Sequence, residues 1–108
     1  MERKVQFYSE GTPCVGILGL PEDYTPGEQR GAVIFCHGFT GVKEMFLPQN
    51  AERLRAEGYI TLNFDYRYFG ESGGEPRSRL VPMAQVEDIR SAMTYMQSLP
   101  EVNPDRIG

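Results

Sequence analysis

Apolar and polar residues alternate at the start of the chain and give way to unbroken apolar runs further on. Val5 and Phe7, followed by Val15, Ile17 and Leu20, mark two short strands, and Ser9-Glu10-Gly11-Thr12-Pro13 between them holds the turn residues of a hairpin. Pro21 to Arg30 is polar and contains two prolines and a glycine, which reads as a surface loop or a flexible insertion. Ala32-Val33-Ile34-Phe35-Cys36 lacks alternation, the pattern of a strand covered on both faces, and is expected to be the central strand of a parallel sheet.

Helical spacing follows. Pro48 suits a first helical turn, and the pattern runs through Ala51, Leu54 and Arg55 to Gly58, where glycine can supply a left-handed cap. Tyr59 to Phe64 returns to β-prone residues, and strand, helix, strand in that order predicts a right-handed parallel crossover. Between Pro82 and Leu99, Val86, Ile89, Met93 and Met96 recur at helical intervals and are expected to be core rather than a metal or ligand box. Leu99 to Asp105 is rich in turn residues, after which Arg106-Ile107-Gly108 looks like the beginning of another strand. The fold class is α/β, with an antiparallel hairpin ahead of parallel β-α-β-α.

Composition narrows the function classes. A chain of 108 residues with 40% hydrophobic and 24% charged residues can build one small domain or part of a larger one. Net charge of -4 and the absence of a basic cluster longer than Arg3-Lys4 argue against nucleic acid. No run is long enough to span a bilayer and Met1 to Tyr8 holds no apolar leader, so no membrane partner and a cytoplasmic setting are expected. Cys14 and Cys36 lack ligand spacing and lie in apolar runs, where a thiol packs as a small hydrophobe. Neither a metal nor another cofactor is expected.

The candidate chemistry follows the long apolar run. His37-Gly38-Phe39-Thr40-Gly41 sits at the C-terminal edge of the expected parallel sheet, where open α/β folds bind ligands. Gly38 lets the backbone turn closely beneath a substrate, leaving the Phe39 N–H to face a developing oxyanion, with His37 structural rather than a base. A tight turn with no chemical role would look the same. Cys36 and His37, being adjacent in an extended chain, point to opposite faces and do not form a dyad.

Gly70-Glu71-Ser72-Gly73-Gly74 satisfies G-x-S-x-G, but a nucleophile elbow needs a helix at once, and Gly73-Gly74-Glu75-Pro76 cannot start one. The only histidine, His37, lies upstream, against the serine, acid, histidine order of such enzymes. Ser72 is therefore expected to be no nucleophile, in a glycine-rich loop that shapes the rim of the site. The same stretch lacks the spacing and lysine of a nucleotide-binding loop. Phe39, Tyr68 and Phe69 either line an apolar entrance or simply pack.

Val33 to Phe39 followed by Phe64 to Gly74, with the closing Asn103-Pro104-Asp105-Arg106-Ile107-Gly108, resembles the N-terminal part of bacterial α/β-hydrolases, nearest to the dienelactone-hydrolase and prolyl-oligopeptidase-like esterases. The resemblance implies a three-layer α/β/α architecture, incomplete here, with residues 1–108 forming the part of one hydrolase domain that precedes the nucleophile elbow. It implies a serine hydrolase acting through an acyl-enzyme on small-molecule esters or peptides, with the triad beyond Gly108 and the chain inactive alone. Asp65 and Arg67 match a D-x-R pattern with a supporting role there; otherwise they are solvated surface charges. The hydrolase topology also places a further strand beside Ala32 to Cys36, so that run is expected here as an open edge prone to self-association. The alternative is a small non-catalytic α/β binding module.

Overall fold

A computed structural model of the chain describes residues 2–36 and 47–108. Strands β1 (Glu2–Ser9) and β2 (Thr12–Gly19) form the hairpin, closed by Glu10 and Gly11, both at positive φ of 48° and 80°. Strand β3 (Arg30–Phe35), helix α1 (Leu47–Ala56), strand β4 (Ile60–Phe64), helix α2 (Pro82–Gln97) and strand β5 (Val102–Ile107) follow. They build one mixed sheet in the order β1-β2-β4-β3-β5, antiparallel at the hairpin and parallel among β4, β3 and β5. An antiparallel hairpin ahead of parallel strands is the arrangement the sequence led to expect.

The two sheet faces are separated by the pleat. Ile60, Leu62 and Phe64 of β4 share a face with Ala32, Ile34, Leu18, Cys14 and Phe7 through the strand registers. On that face Phe7 meets Phe64 edge-on and stacks on Tyr95 of α2, both at 5.5 Å between ring centroids. Thr61 and Asn63 face the other way, where the Arg55 guanidinium of α1 donates to the Thr61 hydroxyl at 2.9 Å. A Cβ at Gly19 would lie 2.4 Å from that guanidinium, so the Arg55 side chain occupies the space a larger residue there would fill. One helix on each face makes the three layers.

Three expectations are corrected by this arrangement. The fully buried strand is β4, every residue of which is buried, whereas Val33, Ile34 and Phe35 of β3 are only half-buried. β4 runs under the helices on both sides; β3 lies toward the less covered half of the sheet. Nor is Ala32 to Phe35 an open edge, because β5 pairs with β3 in parallel, with Arg30 opposite Val102 and Ala32 opposite Ile107. Here the strand starts at Val102 despite Pro104; a register irregularity between Arg30 and Ala32 absorbs the residue that cannot donate. Finally, α2 turns Asp88, Ala92 and Met96 inward, while Val86 and Met93 are 40% and 38% exposed.

The segment before β3 is braced rather than flexible. Glu28 accepts from the Thr25 N–H at 2.7 Å and pairs with Arg30, whose guanidinium also reaches Asp23 and the Gly58 carbonyl. Among the described residues no helix is long and apolar enough to cross a membrane.

Candidate functional site

Because β3 and β4 run parallel, their C-terminal ends open on one edge of the sheet, and the connections that leave it hold the candidate chemistry. His37, Gly38 and Phe39 lie outside the described residues. What can be followed is the end of β3 and the loop from Asp65 to Val81 that leaves β4 for α2.

That loop is held from both ends by charge and by carbonyl capture. Arg67 is buried, and its Nε donates to Asp88 at 2.7 Å while its backbone N–H donates to the other oxygen of the same carboxylate at 2.8 Å. The guanidinium further reaches Glu87 at 2.6 Å and the Ala84 carbonyl at 2.9 Å. Asp88 is fully buried in α2, which a carboxylate tolerates only when paired. At the far side, Arg77 donates to the carbonyls of Ser72 at 2.6 Å and Gly70 at 2.7 Å. Asp65, also fully buried, accepts from the Glu71 N–H at 2.9 Å. Gly70 has φ of 55° and a Cβ there would come within 2.3 Å of the Asp65 carboxylate, so only glycine lets the loop close on that acid.

Ser72 is 2% exposed and its hydroxyl is occupied on both sides: it donates to the Asp65 carbonyl at 2.5 Å and accepts from the Val15 N–H at 2.9 Å. The serine of the G-x-S-x-G match therefore staples the loop to β2. No helix follows it, as the double glycine leads to expect; α2 begins at Pro82. Asp65 and Arg67 are buried and bonded, not solvated. Phe69 is 5% exposed and packs in the core, and Tyr68 is half-buried with the Arg79 guanidinium 5.8 Å from its ring centre.

The cysteines divide. Cys14 is fully buried as expected, and burial, reinforced by the nearby Asp88 charge, pushes its thiol up to about 12. Cys36 instead follows the last residue of β3 and is exposed, which corrects its reading as a packed hydrophobe. Its thiol is hydrogen-bonded to Tyr66 and still lies above its ordinary 9.0, because partial burial opposes the thiolate. Among the described residues no three His, Cys, Asp or Glu side chains converge as a metal site would.

Asp88 and Glu87 are the residues that the pattern of apolar positions missed. A signal was there in the four-residue spacing of Ala84, Asp88 and Ala92, a narrow stripe of small residues with an acid at its centre, but only a partner such as Arg67 makes that face buriable. A groove of about 820 Å3 lies between Glu2, Asp23, Glu52 and Arg55, away from this loop.

No family model matches the chain. It is 42% identical over 105 residues to the quorum-quenching protein AidA of Acinetobacter baumannii, covering 95% of this chain and 33% of that one. It is 41% identical over 83 residues to the thiohydrolase aneE of Aspergillus aculeatus, covering 76% of this chain and 26% of that one. The crystal structure of the α/β hydrolase GrgF from a Penicillium species superposes with a TM-score of 0.89 at 31% identity, over 99% of this chain and 36% of that one. The chain thus spans about a third of the length of the relatives it matches. Strand order, helix placement and these likenesses agree, and the chain belongs to the α/β-hydrolase superfamily, whose N-terminal part it matches.

Proposed function

We propose that residues 1–108 are the N-terminal part of a serine hydrolase domain that cleaves carboxylic esters, with peptides as a further substrate class, through an acyl-enzyme. In this reading the Phe39 N–H, set by Gly38 and His37, forms one wall of the oxyanion hole. The nucleophile, acid and histidine belong to polypeptide beyond Gly108, which leaves these residues inactive by themselves. The reading is carried by one observation: the chain's own G-x-S-x-G serine is buried and hydrogen-bonded on both sides, in a chain that matches only about a third of its hydrolase relatives. Relatives named thiohydrolase and acyltransferase support acyl transfer as the reaction class. A solved neighbour in complex with its substrate analogue supports a small-molecule substrate.

The loop chemistry has a mechanistic consequence within this reading. An oxyanion donor gains its effect from being fixed before charge develops. The loop that leaves β4 is fixed by the Arg67–Asp88 pair, the Arg77 caps and the Ser72 staple to β2, which supports a rim held in place before the reaction begins.

Purified residues 1–108 are expected to show no turnover of p-nitrophenyl acetate and no fluorophosphonate label, with Ser72→Ala and His37→Ala indistinguishable from the parent. Label that disappears on Ser72→Ala would overturn the assignment and make this chain a hydrolase in its own right. Sequencing the gene past Gly108 should reveal a second G-x-S-x-G; unrelated sequence there sinks the proposal.

A further inference from the structure

The chain leaves β3 and β4 at the same edge of the sheet, and one contact joins the two exits. Among the described residues, the pairing of these strands ends with Phe35 opposite Asn63, and on the other side of β3 the Ile34 N–H donates to the Gly108 carbonyl at 2.9 Å. Cys36 lies just beyond both ladders. Its sulfur accepts a hydrogen bond from the hydroxyl of Tyr66, two residues past the end of β4. Tyr66 is the firmer partner. It is buried, its ring meets Phe64 edge-on at 5.2 Å between centroids, and its carbonyl accepts from the Phe69 N–H at 3.1 Å. The residues on either side of it are held as well: the Asp65 N–H donates to the Val15 carbonyl at 2.9 Å, and Arg67 is clamped to Asp88. Cys36, by contrast, is an exposed residue just past a strand end.

A bond from a buried, braced ring to the end of a strand restrains the strand end rather than the ring. Packing accounts for the ring alone, since phenylalanine would meet Phe64 equally well. The hydroxyl needs a partner once it is buried, and the one it has is the side chain immediately before His37-Gly38-Phe39. An oxyanion donor works by being in place before charge develops, and a misplacement of about 1 Å in a site can cost on the order of a hundredfold in rate. Support for such a donor comes from neighbours whose own positions are locked, as that of Tyr66 is.

We propose that Tyr66 is a positioning residue for the acyl transfer: its hydroxyl, through Cys36, fixes the point at which the chain leaves β3 and with it the Phe39 N–H that faces the oxyanion. The inference rests on the reading of residues 1–108 as part of a serine hydrolase.

The test uses the product of the gene's complete reading frame, with p-nitrophenyl acetate as substrate and a fluorophosphonate label on the parent. Tyr66→Phe keeps the ring and removes the hydroxyl. Its kcat should fall about tenfold, less than the hundredfold or more that follows outright loss of an oxyanion donor, with KM within about twofold of the parent. Cys36→Ala should lose as much and reads the same bond if Tyr66→Phe does not fold. The double variant should be no slower than either single one, because both remove one interaction. Cys36→Ser keeps an acceptor for the phenol and should retain kcat within about twofold. Tyr95→Leu is the control for a merely structural loss: it gives up the stack on Phe7, near the other end of α2, and should lower Tm while leaving kcat unchanged. In an active parent, Tyr66→Phe with unchanged kcat, or with a raised KM alone, would overturn the assignment, as would losses that multiply in the double variant. A parent with neither turnover nor label defeats the functional reading, and the role of Tyr66 falls with it.

Discussion

Ser72 donates to one backbone carbonyl and accepts from one backbone N–H, linking Asp65 on β4 to Val15 on β2. Ser72→Ala removes both bonds from a buried site, and about 1–3 kcal/mol of stability should be lost in denaturant titration. Arg67 and Asp88 act as a pair in the same way. Removing Arg67 leaves the buried Asp88 carboxylate without its countercharge, so Arg67→Met should cost about 3 kcal/mol or more; Asp88→Ala, which leaves Arg67 paired with Glu87, should cost less, and the double variant clearly less than the sum. A double-mutant cycle whose single costs simply add would show that the pair is not coupled. The thiols give a third residue-scale outcome. A thiol reagent should label Cys36 in the folded chain and Cys14 only on unfolding, because Cys14 is fully buried with its thiol at about 12.

Elements were legible to the extent that their own residues decide them. The hairpin, both helices and β4 follow from local apolar spacing and turn residues, and Gly58, with φ of 98°, ends α1 where the sequence pattern places it. Two features were not legible locally. β5 forms across a proline because β3 offers an open ladder, and the inward face of α2 is rotated toward Asp88 because Arg67 supplies the countercharge. The loop before β3 carries a pH prediction. The Thr25 N–H, then Arg30, holds the Glu28 carboxyl below its ordinary 4.5, so the folded loop prefers the ionised form. This contribution is present above the ordinary value and is lost as pH falls through the lowered one. Amide exchange at Thr25 should therefore accelerate on acidification, and Glu28→Gln should remove that dependence; exchange that stays flat from about pH 6 to 3 would contradict it.

At the scale of the whole molecule, several buried groups hold their protons more tightly folded than unfolded. Burial raises the Cys14 thiol and the Tyr66 and Tyr95 phenols above their ordinary 9.0 and 10.0. The stability tied to these groups is complete below the ordinary values and is lost as pH rises through the elevated ones. Melting temperature should fall steadily above about pH 9, and a constant value up to about pH 11 would argue that these groups are not buried.

The amino-acid sequence by itself determined the fold class, because turn residues, helical spacing and unbroken apolar runs are properties of neighbouring residues. It also set Ser72 apart from the frame of a nucleophile elbow, since the residues after it cannot begin a helix. Which strand would be buried on both faces, whether β3 would be an edge and which side of α2 would point inward were decided only by tertiary structure. Each depends on a partner far along the chain: both helices over β4, β5 beside β3, and Arg67 opposite Asp88. Burial of a strand or of a charge is a property of what covers it, and no local pattern contains that.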